Sequence, residues 1–186
     1  MTPQRLHAEL LKGLMDMSKA YLLGVMHDST ERKTTYRITS KEKSFVEFLA
    51  EMIHELGYNA WIYQEGKTRD MYVVEFSKMV VRNTQIKTKQ DTIEYIRGYF
   101  DAEGSVPKSS KSRFYIYFSQ KNKKDLEELK SYIESLGIIC GKTHNPSNKK
   151  DPEYWRFYIS CKSYTSFIKT IGSWHPKKRQ RLRVKI

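Results

Sequence analysis

Two stretches of the chain end in acid. SKAYLLGVMHDST, Ser18 to Thr30, closes on His27-Asp28, and TIEYIRGYFDAEG, Thr92 to Gly104, closes on Asp101-Ala102-Glu103. Each carries small or apolar residues at helical spacing: Ala20, Leu23 and Gly24 in one, Ile96, Gly98 and Ala102 in the other. A glycine inside a helix costs about 1 kcal/mol against alanine, which is tolerable where the missing side chain lets two helix backbones approach. If these helices pack together, Asp28 and Glu103 come side by side. Adjacent carboxylates raise each other's pKa unless something positive lies between them. A divalent ion fits, because Mg2+ prefers oxygen ligands and is usually held by one or two carboxylates with phosphate and water. Two such ions about 4 Å apart can activate a water and stabilise the leaving oxygen in phosphodiester hydrolysis. The plainer reading is a pair of solvated helix-end acids. An acid at a helix C-terminus opposes the macrodipole, however, and two at corresponding places in a duplicated unit favour metal.

The duplication is visible in the elements that would position these acids. YRITSKEKSFVEFLAEMIHELGY, Tyr36 to Tyr58, is matched by FYIYFSQKNKKDLEELKSYIESLGI, Phe114 to Ile138. Both begin as an alternating strand, with Tyr36 and Ile38 in one and Phe114, Ile116 and Phe118 in the other. Both continue as an amphipathic helix, with Val46, Leu49, Ile53 and Leu56 matched by Leu126, Leu129, Ile133 and Leu136. Both stop at Leu-Gly; Gly57 and Gly137 are 80 residues apart and suit the left-handed cap. Lys41 and Lys121 follow the two strands at matching places, beside Ser40 and Gln120.

Two further strands follow each glycine, Asn59 to Tyr63 and Met71 to Phe76, then Ile138 to Thr143 and Trp155 to Ser160. A short helical stretch closes each half, Lys78 to Arg82 and Tyr164 to Ile171. A weakly marked hairpin strand precedes each repeat, Ser29 to Arg32 and Ser105 to Lys108. The expected architecture is α+β, a duplicated αββαββα unit with helices on one face of each antiparallel sheet. Residues 1–82 form the first repeat, 83–91 a polar linker, and 92–186 the second repeat with a basic tail. Leu6 to Met15 reads as a short amphipathic helix against the body.

Charge narrows the partner. Lys and Arg number 34 against 21 Asp and Glu in 186 residues, a net charge of +13. Such a chain repels itself and is favoured beside a polyanion, nucleic acid first and an anionic membrane second. No stretch could span a bilayer and no signal-peptide pattern is present, so a membrane partner is not expected and the location is intracellular, in cytoplasm or an organelle matrix. Cys140 and Cys161 lack zinc-site spacing and read as buried free thiols on strands. The five histidines are scattered. The tail HPKKRQRLRVKI suits nonspecific phosphate contact; a solvated, disordered tail fits equally well.

YIRGYFDAEG resembles the second signature of LAGLIDADG homing endonucleases in their single-chain, two-motif, intron-encoded form, and AYLLGVMHDS resembles the first. The resemblance runs from about Ser18 to Trp174. It implies two antiparallel sheets in a pseudo-twofold DNA-binding saddle with the motif helices packed at its centre, and a monomer that cuts double-stranded DNA at a long asymmetric site. It implies Mg2+ as cofactor, in two or more ions, with Mn2+ or Ca2+ able to substitute for binding. The last acid of each motif would bind metal, which carries over directly to Glu103, and the preceding carbonyls, of Ala102 and His27, would join the shell. Lys41 and Lys121 would sit near the metals, and Gln120 would position water.

The first motif departs from the pattern. Glu103 lies five residues after Gly98, and the same count from Gly24 reaches Ser29, while Asp28 lies four along. Either the first helix end is one residue shorter, the reading favoured here, or that site is impaired, with Glu31 a weaker substitute. With neither acid in place the protein would nick one strand or only bind. The outward faces of the sheets would meet DNA through Arg32, Arg37, Thr39, Trp61, Tyr63, Lys67 and Arg69 in the first half. Lys108, Lys111, Arg113, Tyr115, Tyr117, Lys142, Asn145 and Arg156 would serve in the second. The competing reading is an intron-RNA maturase, or a noncatalytic DNA-binding protein, on the same scaffold.

Overall fold

The computed structural model describes residues 19–66, 70–109 and 111–183. They form six α-helices and seven strands. The chain divides into two compact units, and the division falls between Tyr95 and Ile96, inside the third helix.

In the first unit, helix α1 covers residues 19–25 and tightens into a 3-10 turn, Met26–Asp28. Strands β1 (Ser29–Glu31) and β2 (Thr35–Ser40) make the first hairpin. Helix α2 (Lys43–Glu55) follows, then β3 (Ala60–Gln64) and β4 (Tyr72–Ser77). The sheet is antiparallel throughout, in the order β1-β2-β4-β3. Alternation along β2 sends Ile38 inward, where it meets Val74 of β4 in register. Helix α2 covers that face and buries Phe45, Val46, Leu49, Ala50, Met52 and Ile53. Gly57, at φ 82°, ends it in the left-handed conformation that lets the Tyr58 N–H reach back to the Ile53 carbonyl at 3.1 Å.

The second unit repeats the plan. Helix α3 (Lys89–Glu103) leads into β5 (Gly104–Ser105) and β6 (Tyr117–Gln120). Helix α4 (Lys123–Ser135), β7 (Trp155–Tyr158), α5 (Tyr164–Thr170) and α6 (Pro176–Arg183) follow. The sheet order is β5-β6-β7, again antiparallel. Helix α4 has the same 13-residue length as α2, displaced by 80. Its N-cap Asn122 accepts from the Lys124 and Asp125 N–H groups, and Gly137, at φ 78°, follows its end. Phe118 and Phe157 face each other across the strands, fully buried, with ring centroids 5.4 Å apart. Phe100 and Phe167 complete the aromatic core, 5.1 Å apart.

Several expectations need correction. The first motif helix stops three residues before Asp28, in a 3-10 turn. The second begins at Lys89, so Lys89 to Asp91 belong to a helix and not to the linker. Thr88 and Asp91 cap it reciprocally: the Thr88 N–H donates to the Asp91 carboxylate (2.8 Å), and the Asp91 N–H donates to Thr88 Oγ1 (3.0 Å). Ser105 to Lys108 contributes only Ser105 to a strand. Ile138 to Thr143 makes an isolated bridge, Cys140 with Ile159, in place of a strand. Lys78 to Arg82 yields a single 3-10 turn, Lys78–Val80. Cys161 is exposed in another 3-10 turn, since the strand has already ended, and Cys140 is half-buried. The described part of the basic tail is helical and not a disordered coil: Pro176–Arg183 form α6, which buries Leu182. The helix expected over Leu6 to Met15 lies outside the described residues.

Candidate metal and nucleic-acid sites

Strand register decides which residue of the first motif corresponds to Glu103. Ser29 pairs with Ile38, and Gly104 pairs with Phe118. Ile38 and Phe118 are the matching inward residues of the duplication, 80 apart. Ser29 therefore stands where Gly104 stands, and Asp28 stands where Glu103 stands. The missing residue is absorbed by helix type. Gly24 to Asp28 is one α step and three 3-10 steps, an advance of about 7.5 Å, the same as about 7.5 Å for the five α steps from Gly98 to Glu103. Each acid is the last residue before its hairpin strand begins.

The surroundings of the two acids differ. Asp28 is exposed, and the ring of the neighbouring His27 lies with Nε2 2.7 Å from the Tyr95 hydroxyl. Glu103 is half-buried at the end of α3. Two residues before it, Asp101 is 3% exposed. Its carboxylate accepts from the Ser173 hydroxyl and from the Trp174 and His175 N–H groups, at 2.8 and 3.0 Å for the last two. Lys178, from α6, donates to the carbonyls of Phe100 (2.7 Å) and Asp101 (2.8 Å) and reaches that of Ala102 at 3.5 Å. Sequence reasoning missed both partners. The only available signal was a lysine-rich tail, and nothing in its spacing ties it to the DAE tripeptide.

Gln120 ends β6, and its Oε1 accepts the Lys121 N–H at 2.7 Å, which leaves Nε2 as the end that can donate. The same corner holds the Tyr99 hydroxyl. Burial pushes the Tyr99 pKa up, Gln120 pulls it down, and the charge of Glu103 pushes it up again. Gln120 and Glu103 thus both act on Tyr99. Lys41 and Lys121 are exposed, each in the short turn between strand and helix.

The donor set suits a hard cation. Among the described residues no three His, Cys, Asp or Glu side chains gather, so a soft, protein-saturated metal cage is absent there. One carboxylate and the carbonyls at a helix C-terminus are oxygen donors at the negative end of a dipole, which suits Mg2+ completed by phosphate and water. Lys178 shows that these carbonyls accept a cation.

The outward sheet faces carry the expected basic and aromatic residues, some already engaged. In the first unit Trp61 is 53% and Tyr63 38% exposed. Arg37 is paired with Glu65 (3.2 Å) and Glu75 (3.8 Å) and lies over the Tyr63 ring. Glu75, which sequence reasoning passed over, also accepts from Thr35 (2.6 Å) and Tyr63 (2.7 Å). The Thr35 and Tyr63 hydrogen bonds hold its carboxyl below the usual range against the effect of burial. Thr39 is half-buried on β2 and Arg32 is exposed beyond β1. In the second unit Tyr115, Tyr117 and Tyr158 cluster, with the Arg156 guanidinium 5.6 Å from Tyr117 and 5.2 Å from Tyr158. Lys108, Lys111, Arg113 and Lys142 are exposed. Asn145 uses both ends of its amide within its own loop, donating to the Asp151 carbonyl and accepting from the Ser147 N–H, each at 2.8 Å. Lys67 and Arg69 lie outside the described residues.

Comparison with known proteins agrees with this fold. Residues 25–87 and 91–172 match the family model of a LAGLIDADG-like domain. The chain is 24% identical over 148 residues to an uncharacterized protein of Methanocaldococcus jannaschii, covering 65% of this chain and 55% of that protein. It is 36% identical over 91 residues to the homing endonuclease I-ApeI of Aeropyrum pernix, covering 48% of this chain and 39% of I-ApeI. The chain thus spans about half the length of the curated relatives it matches. The fold resembles that of I-DmoI in complex with DNA and Mn, with a TM-score of 0.64, 23% identity, and coverage of 85% of this chain and 97% of that one. With two family matches covering most of its length, one in each half, the chain belongs to the LAGLIDADG-like family.

Proposed function

We propose that this protein is a divalent-metal-dependent endonuclease that cuts double-stranded DNA at a long, asymmetric site, acting as a monomer. The observation that carries the reading is the strand register, which gives both units an acid at the same structural place, Asp28 and Glu103. Relatives point the same way: I-ApeI is a homing endonuclease, and a variant of I-DmoI has been crystallised with its target DNA in the presence of Mg.

Glu103 with the Ala102 carbonyl, and Asp28 with the His27 carbonyl, would hold the metal ions. Mg2+ bound there, with Mn2+ or Ca2+ as substitutes for binding, would activate water and stabilise the leaving oxygen. Lys41 and Lys121 would place positive charge against the phosphate as negative charge builds on it. The Nε2 end of Gln120 would hold a water or a phosphate oxygen in orientation. On the sheet faces, Arg156 between its tyrosines presents a flat cation fixed before binding, suited to a base edge or a sugar-phosphate strand. Arg37 is held by two carboxylates, so DNA must compete for it. Charge of +13 supplies sequence-independent attraction that falls steeply with salt.

The test is selection from a randomised duplex library in Ca2+, followed by incubation of bound duplexes with Mg2+ or with chelator. Cutting with Mg2+ alone, abolished in Glu103→Gln with binding retained, is expected. Binding of intron RNA with promotion of splicing, and no cutting of any duplex, would replace this reading with the maturase.

A further inference from the structure

Lys178 is an unusual helix cap. Lysines near a helix C-terminus commonly belong to that helix or to its immediate continuation. This one arrives from 75 residues beyond the end of α3, on a separate helix. Two anchors bring it there. Asp101 holds the turn of Ser173, Trp174 and His175 by three hydrogen bonds. Leu182, one helical turn past Lys178, is 2% exposed and pins the other end of α6. The ammonium is left half-buried against the final carbonyls of α3, 5.4 Å from the centre of the Phe100 ring. The third carbonyl it approaches, at 3.5 Å, is that of Ala102, the residue before Glu103.

We propose that the Lys178 ammonium is a resident cation at the carbonyl end of α3, competing with a divalent ion for that end and thereby setting the divalent concentration the protein requires. The inference rests on the metal-dependent reading above. Its ground is chemical. Ammonium and divalent ion both seek the oxygens at this helix end, and two cations a few ångströms apart in a partly buried setting repel strongly. A divalent ion on the Ala102 carbonyl must either displace Lys178 toward the Phe100 and Asp101 oxygens or bind beside it against that repulsion. Lys178 is therefore a positioning residue. It fixes the helix end before metal arrives and weakens metal binding in doing so.

The experiment titrates the full chain with Mn2+ alone and follows loss of the free-ion electron paramagnetic resonance signal, with thermal unfolding measured on the same samples. Lys178→Met keeps the stem and removes the charge; Lys178→Gln also keeps a donor for the carbonyls and serves if the first variant fails to fold. The expected result is a half-saturating Mn2+ concentration about tenfold lower in both than in the natural chain, with Lys178→Arg restoring the natural value. A cap with no effect on the metal would lower the unfolding temperature and leave the Mn2+ curve in place, which overturns the proposal. The two readings fail separately. A natural chain that neither binds Mn2+ nor cuts DNA removes the endonuclease and this inference with it; a natural chain that binds Mn2+ with curves superimposable on those of the uncharged variants removes only this inference.

Discussion

The two motif ends reach the same structural position by different means. In the first unit the α-helix tightens into a 3-10 turn and delivers an exposed Asp28. In the second the α-helix runs unbroken to Glu103, and its last turn is tied to the C-terminal segment through Asp101 and Lys178. Counted back from the two acids, Met26 and His27 precede Asp28 as Asp101 and Ala102 precede Glu103. A half-buried thioether therefore stands where the second unit has a fully engaged carboxylate. Duplication has kept the acid and changed its support. The position of the acid is set by where the hairpin strand begins, and the residues behind it have been free to diverge.

The largest structural asymmetry should appear at Asp101. Asp101→Leu strands a hydroxyl and two backbone N–H groups, each worth about 1–3 kcal/mol when left buried and unpaired. Urea unfolding should show a loss of about 3 kcal/mol or more. Met26→Ala at the corresponding place should lose about 1 kcal/mol, because that side chain is only half-buried. Equal losses would mean that the anchor does not support the second unit.

Next in size is the junction between acid and strand. A Cβ on Gly104 would meet the Phe100 carbonyl oxygen at 2.6 Å and the Phe100 ring closer still. Gly104→Ala should destabilise by about 1–3 kcal/mol. Ser29→Ala, at the matching residue, removes a hydroxyl and adds no bulk, so it should stay within about 0.5 kcal/mol. A tolerant Gly104 would break the claim that the second helix end is the more tightly packed.

Much of this was legible from residue pattern. The helices at Lys43–Glu55 and Lys123–Ser135 follow from their apolar periodicity, and their ends follow from Gly57 and Gly137. The inward positions of Ile38 and Phe118 follow from alternation. What stayed hidden has physical reasons. The 3-10 turn at Met26–Asp28 has no composition signal; it shows only as a residue too few between Gly24 and Asp28. The first turn of α3 is polar, and its start is set by the Thr88–Asp91 cap, which apolar periodicity does not register. The role of Lys178 depends on a contact with residues 76 to 78 positions earlier, beyond any local pattern. The segment after Gly137 has strand-forming residues, yet it makes only isolated bridges, Cys140 with Ile159 just past β7 and His144 with Arg156 of β7.

The opposite end of α3 gives a smaller effect. Thr88→Ala should cost about 1 kcal/mol by removing the cap. Burial pushes the Asp91 pKa up, but the N–H groups of Thr88 and Lys87 prevail and hold it below the ordinary carboxylate range. Its stabilisation is then complete above that range and fades as pH falls through the lowered value. Asp91→Asn should flatten this acid limb in unfolding measured against pH; an unchanged limb would remove Asp91 as its source.

The smallest effect is one of reactivity. Burial pushes the Cys140 thiol up to about 12, while Cys161 is exposed. A thiol reagent should react slowly with Cys140, which is half-buried and keeps its proton, and faster with Cys161, which is exposed.

The central claim is that Asp28, one residue short in sequence, is the structural equal of Glu103. Cleavage of a selected duplex in Mg2+ by Asp28→Asn and Glu103→Gln, beside binding of the same duplex in Ca2+, tests it most directly. Both substitutions should lower the cleavage rate by about 10³-fold or more with binding retained. Full double-strand cutting by Asp28→Asn, with only Glu103→Gln inactive, would contradict the account.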